Sequence, residues 1–156
     1  MLLLALSLMT HDAHAAKTEV GHEKTIGVGV NLGYPNAFSG KFWFNPDAGI
    51  SLTAGAYPGR LGTALVRVAY EQVFYTIGDW DWGKLDLYWN AGVASNITIV
   101  GAVLQPGAGG GVSVMIRFKD APAEVFVNNA IYLYPALFGA SFDYGYVGGF
   151  GGRWYF

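Results

Sequence analysis

From Thr25 to Tyr34 the chain alternates without a break: Ile26, Val28, Val30, Leu32 and Tyr34 are apolar, and Thr25, Gly27, Gly29, Asn31 and Gly33 between them are small or polar. A period of two sends successive side chains to opposite faces, which predicts a strand with one greasy and one polar side. The pattern recurs down the chain. Phe38 to Asn45 sets Phe38, Phe42 and Phe44 against Ser39, Lys41, Trp43 and Asn45, and Asn45-Pro46-Asp47 predicts a tight turn. Gly49 to Tyr57 sets Ile50, Leu52, Ala54 and Ala56 against Ser51, Thr53, Gly55 and Tyr57, ending at Pro58-Gly59. Leu61 to Phe74 carries Ala64, Val66, Val68, Tyr70 and Phe74 opposite Arg67 and Glu71, and a turn is expected over Gly78-Asp79-Trp80-Asp81-Trp82-Gly83.

Lys84 to Ser95 places Leu85, Leu87, Trp89, Ala91 and Val93 opposite Asp86, Tyr88, Asn90, Gly92 and Ala94. A Gly-rich connection is expected from Ser95 to Gly109, before Val112, Val114, Ile116 and Phe118 alternate with Gly111, Ser113, Met115 and Arg117. After the turn Lys119-Asp120-Ala121-Pro122, Val125, Val127, Ile131 and Leu133 oppose Glu124, Phe126, Asn128, Ala130 and Tyr132. Asn129 falls on the greasy side, against the pattern. From Ala140 to the end, Phe142, Tyr144, Tyr146, Phe150, Trp154 and Phe156 alternate with Ser141, Asp143, Gly145, Val147, Gly149, Gly151, Arg153 and Tyr155.

These eight segments are mostly close to the nine to eleven residues, roughly, that a tilted strand needs to cross a bilayer, and longer than most soluble strands. The strong charges inside them, Lys41, Arg67, Glu71, Asp86, Arg117, Glu124, Asp143 and Arg153, all share the face that carries Gly, Ser and Thr. An Arg or Lys turned to lipid at mid-depth costs on the order of 2–4 kcal/mol, so insertion demands this segregation. An open edge in lipid would leave backbone groups unpaired, so the sheet has to close. The fold class expected is therefore all-β, an eight-stranded antiparallel up-and-down transmembrane β-barrel. Trp and Tyr near strand ends, at Tyr34, Tyr57, Trp80, Trp82, Tyr134 and Trp154, with Phe156, suggest belts at the two membrane interfaces.

Composition points the same way. Only 13% of the 156 residues are charged while 53% are apolar, 16% are aromatic and 23 are Gly; soluble domains run near a quarter charged. The formal charge of −2 and the absence of a basic run exclude a nucleic-acid partner of the usual electrostatic kind. The chain has no Cys, which removes disulfides and thiolate chemistry.

Residues 1–15 open with the apolar run MLLLALSLM and end at Ala13-His14-Ala15, small residues at alternate places, as a secretory signal peptide cleaved after Ala15 would. The division expected is 1–15 signal peptide, 16–23 N-terminal periplasmic segment and 24–156 barrel.

An eight-stranded barrel is only just wide enough for side chains to fill it. Four basic residues, Lys41, Arg67, Arg117 and Arg153, and four acidic ones, Glu71, Asp86, Glu124 and Asp143, are expected to pair across such a lumen. The three His residues are His11, His14 and His22, all before the first strand, so a Ser-His nucleophile is excluded from the barrel and no enzyme, metal or cofactor is expected. Gly27-Val28-Gly29 and Gly109-Gly110-Gly111 lack the helix start and Lys-Ser/Thr of a phosphate loop.

Phe150, Trp154 and Phe156 resemble the C-terminal strand signal by which outer-membrane barrels are recognised for assembly. Gly27 to Pro35 with Ser39 to Trp43, Arg117 to Pro122 with Val125-Phe126, and Gly152 to Phe156 resemble an uncharacterised family of small bacterial outer-membrane barrels. The resemblance implies eight strands and no known activity; Asn128 stands where it implies an acidic residue. The expectation is thus a monomer in the outer membrane of a Gram-negative bacterium. Its partners would be lipid, periplasmic chaperones and the barrel-assembly machinery. Its role would be structural or in surface interaction, the alternative being a narrow, porin-like pore or a binding barrel for a small hydrophobic molecule.

Overall fold

The computed structural model describes residues 20–21, 23–59, 62–98, 103–136 and 142–156. The expected signal peptide, His11, His14 and His22 lie outside the described residues. Eight strands follow in order: β1 (Ile26–Tyr34), β2 (Asn36–Asn45), β3 (Ala48–Ala56), β4 (Thr63–Trp80), β5 (Gly83–Thr98), β6 (Val103–Phe118), β7 (Ala123–Tyr134) and β8 (Asp143–Tyr155). Each pairs antiparallel with its neighbour in sequence, and β1 pairs with β8 from Gly27↔Tyr155 to Tyr34↔Gly148, so the sheet closes into a barrel. We call the end that holds the start of β1 and the end of β8 the lower end.

Side-chain facing follows the period of two through the barrel wall, breaking in β4 at the register shifts, where Phe74 and Tyr75 are both exposed, and at the start of β6, where Val103 and Leu104 are. Val28, Leu52, Val68, Val93, Val127 and Phe150 point outward and are 41–63% exposed, whereas Lys41, Arg67, Glu71, Asp86, Glu124 and Arg153 point inward and are 0–3% exposed. The lumen is filled rather than open, and its tightest places depend on glycine. A Cβ on Gly27 would meet the ring of Tyr155, and one on Gly107 would meet both the Leu133 carbonyl and the ring of Tyr134 at 2.5 Å.

Three expectations about boundaries change. The connection drawn from Ser95 to Gly109 is mostly strand: β5 runs on to Thr98 and β6 begins at Val103, with Gly107↔Ala94 and Gly109↔Gly92 in register. Glycines that read as loop composition are here the inward positions that give Tyr132 and Tyr134 their space. The turn expected over Gly78 to Gly83 shrinks to Asp81-Trp82, because β4 reaches Trp80 after register shifts at Val73/Tyr75 and Thr76/Gly78. Beyond Ala48↔Gln72 this β4–β5 hairpin has run past the end of β3.

The third change concerns aromatics. Trp80, Trp82, Trp154 and Phe156 are outward and 44–66% exposed, with Trp80 and Trp82 stacked at 5.5 Å. Tyr57 and Tyr134 are instead buried inside, and Tyr34 turns in to pack on Tyr57 at 4.6 Å. They fill the upper lumen rather than a membrane belt, since Tyr134 stands on the inward parity of β7 and Tyr57, just past the end of β3, continues the inward parity of that strand.

Candidate functional site: the filled lumen

Two layers occupy the barrel. The lower layer is built on Trp43, Tyr88, Met115, Phe126 and Tyr155, with Val20 from the segment before β1 seated among them. Val20 is 2% exposed and is held by a bridge to Lys24, the Gly21 N–H donating to the Lys24 carbonyl at 3.0 Å. Of the expected N-terminal segment, Val20 therefore sits in the lower mouth.

Among the described residues three ion pairs cross this layer. Lys41 Nζ lies 2.8 Å from Glu71 Oε2 and 3.7 Å from the Trp43 ring centroid, a cation held by a carboxylate and an aromatic face together. Arg117 Nη2 and Nε meet Asp86 Oδ2 at 2.7 and 2.8 Å, while Thr76 Oγ1 donates to Asp86 Oδ1 at 2.6 Å. Arg153 Nη1 donates to Glu124 Oε1, its Nε donates to Ser39 Oγ at 2.9 Å, and its guanidinium lies 4.1 Å from the Phe126 ring centroid. Glu124 is the register partner of both Arg117 and Arg153, so this pair is a direct cross-strand contact from β7 to β8.

The upper layer is built on Tyr57, Leu65, Ala94, Ala130, Tyr132, Tyr134 and Val147. Tyr57 OH donates to Asn96 Oδ1 at 2.9 Å. Between the layers stands Arg67, whose Nε donates to Tyr132 OH at 2.6 Å and whose Nη2 donates to Asn90 Oδ1 at 2.8 Å. Asn90 Nδ2 in turn donates to Ser113 Oγ at 3.2 Å. A neutral chain runs beside it: Tyr88 OH donates to Asn128 Oδ1, Asn128 Nδ2 to Asn31 Oδ1, and Asn31 Nδ2 to the Pro35 carbonyl.

Of the eight charges expected to pair, six do. Asp143 has inward parity but sits exposed at the upper start of β8, where its Oδ1 accepts the Tyr144 N–H at 2.8 Å. Arg67 consequently has no carboxylate partner among the described residues and is served by a phenol and an amide. Among the described residues four cations meet three anions inside. Phe150, Trp154 and Phe156 all face outward, and the Phe156 N–H donates to the Ile26 carbonyl at 2.9 Å, tying the chain end to the start of β1.

Charge alone does not find the lumen's neutral members, Trp43, Tyr88, Asn90, Ser113, Asn128 and Tyr132. Their signal is parity: each lies on the charged face of its strand, and a polar or aromatic residue there has to be packed or hydrogen-bonded. Asn128 shows the consequence, since an amide there serves Tyr88 and Asn31 together without adding charge.

Chemically the arrangement holds each carboxylate against its own cation, with Glu71, Asp86 and Glu124 at 0–1% exposure. Among the described residues no three His, Cys, Asp or Glu side chains are grouped to hold a metal. No protein-family model, curated protein or solved structure matches the chain.

Proposed function

We propose that the chain is an outer-membrane protein whose sealed barrel serves as a structural or surface-interaction unit and not as an enzyme. One observation carries the reading: large apolar side chains are exposed on all eight strands, from Val28 on β1 through Leu52, Val68, Val93, Val112 and Val127 to Phe150 on β8. A soluble monomer seldom exposes apolar patches beyond a few hundred Å², roughly, whereas a bilayer covers such a belt and leaves the charges inside. The expected signal peptide, the terminal aromatic strand and the likeness to small outer-membrane barrels agree with export and assembly in a Gram-negative envelope. The interior supports a structural role over a pore, because Arg67, Tyr88, Asn90 and Tyr132 are 0–2% exposed and offer a water molecule no path between them.

A second reading, a binding barrel for a small hydrophobic molecule, draws on an outer groove of about 600 Å³ beside Leu32, Phe38, Ala54, Ala56, Ala64 and Val66. Envelope fractionation followed by gel electrophoresis of boiled and unboiled samples tests the main reading. A membrane-held band that shifts on boiling, with no discrete conductance in planar bilayers, is the expected result. Steady single-channel steps would replace the sealed barrel with a pore, and a chain recovered in the soluble fraction would end the membrane reading.

A further inference from the structure

Over much of the wall the outward positions carry Val, Ile, Leu or an aromatic ring, but at the upper end of β3 and the start of β4 they are Ala54, Ala56 and Ala64. Ala54 pairs with Phe38 on one side and Val66 on the other, and Ala56 pairs with Asn36 and Ala64. Short side chains set side by side leave a trough of about 600 Å³, bounded by Val30 and Leu32 on β1 and by Val66 on β4. Phe38, 77% exposed, stands off the wall beside it. Small-ligand sites usually enclose about 300–1,000 Å³, so the trough has the capacity of one. Leu65 behind it is 0% exposed, so the trough faces away from the lumen. Its upper end is polar. Asn36 stands exposed there, beside the ends of β1 and β3; its Oδ1 accepts the Gly33 N–H at 2.9 Å, and its Nδ2 makes no hydrogen bond among the described residues.

Given the membrane reading above, on which this rests, the trough lies in the belt that hydrocarbon covers, and its upper end lies where the strands of this side stop and headgroups begin. Its occupant has to arrive through the bilayer, because the trough opens to that side. It also has to be narrow, because Phe38 and Val66 flank the alanines. We propose that this groove is a binding site for one acyl chain of a phospholipid, whose ester carbonyl accepts a hydrogen bond from Asn36 Nδ2. The match is one of polarity along the length: methylenes lie over Ala54 and Ala56, and the single oxygen acceptor meets the single free donor at the top. A chain in the trough touches protein on its sides as well as beneath, and so gains dispersion contacts that a chain on the flat wall lacks. The small hydrophobic molecule of the second reading becomes, on this account, the tail of a membrane lipid.

The full chain, refolded into vesicles of phosphatidylethanolamine and phosphatidylglycerol, is irradiated with a trace of phosphatidylcholine that carries a diazirine on one acyl chain, and the adducts are located by peptide mass spectrometry. Labelling of residues 30–38 and 54–56 is expected to exceed several-fold that of residues 85–93 on the far wall. Ala54→Phe with Ala56→Phe fills the trough and should bring its labelling down to the level of that wall, whereas Ala91→Phe, at an exposed outward position of β5, should leave it unchanged. Asn36→Asp keeps the acceptor for the Gly33 N–H and removes the donor, and should lower the excess about fivefold, the worth of one net hydrogen bond. The boiling-dependent gel shift should persist in every variant. Labelling spread evenly round the wall, or an excess that survives Ala54→Phe with Ala56→Phe, overturns the site and leaves annular lipid or a second copy as what touches the trough. An excess indifferent to Asn36→Asp overturns the carbonyl contact. A chain that fails to float with the vesicles overturns the membrane reading itself.

Discussion

The lower and upper halves of the lumen fill equal cylinders by opposite means. Below, three ion pairs share the space with Trp43, Tyr88 and Phe126; above, Tyr57, Tyr132 and Tyr134 pack around Leu65 and Val147, with no buried ion pair among the described residues. A buried pair that loses one member strands a charge, whereas an aromatic layer loses contact area and one hydrogen bond at a time. The lower half should therefore be brittle and the upper half forgiving, with Arg67 the seam between them.

The largest effect expected is at Glu124→Ala, which leaves Arg153 buried without its carboxylate and should cost about 3–5 kcal/mol, read as the urea midpoint of refolded barrel in detergent. If the lower layer works as described, Glu124→Leu with Arg153→Met recovers most of that loss. Next comes Gly107→Ala in the upper half, where the new methyl meets the Leu133 carbonyl and the Tyr134 ring; about 1–3 kcal/mol is expected for overpacking, by the same measurement. Tyr132→Phe takes from Arg67 the oxygen that receives its Nε proton. About 1–2 kcal/mol is expected for that lost hydrogen bond, and a cost as large as that of Glu124→Ala would erase the distinction between the halves.

The smallest effect lies outside the lumen, at the tip of the β4–β5 hairpin. A hydrogen bond from Lys119, aided by the charges of Lys119 itself, Lys84 and Arg117, holds the exposed Asp79 carboxyl below its ordinary value. A depressed carboxyl stabilises the fold above the ordinary aspartate range and loses that contribution as pH falls through the folded value. Asp79→Asn should thus slightly flatten the acid limb of a melting-temperature profile, with the difference fading in high salt.

How much of this was legible in the sequence differs between the halves too. Parity placed every lower-layer charge inside, because a one-residue slip would have turned Lys41, Glu71 and Arg153 to the outside together. Which charges would meet was not legible, since that depends on barrel register: Glu124 opposes Arg153 across β7 and β8, but Asp143 runs out at the rim and leaves Arg67 to Tyr132 and Asn90. The upper layer was harder to read. Gly107 and Gly109 suggest a loop until the tyrosines of β7 are set beside them, and Tyr57 and Tyr134 near strand ends look like interface residues although their parity points inward. A period-two glycine run opposite a period-two tyrosine run on the next strand is the pattern that resolves both.

The central claim is that hydrocarbon covers the outward residues of the wall. Spin labels on Val30→Cys and Val93→Cys in reconstituted vesicles test it most directly, by comparing collisions with oxygen against collisions with a water-soluble nickel chelate. Oxygen should dominate at both positions, on opposite sides of the barrel. Collisions with the nickel chelate at either site would show that water, and not lipid, bathes that wall.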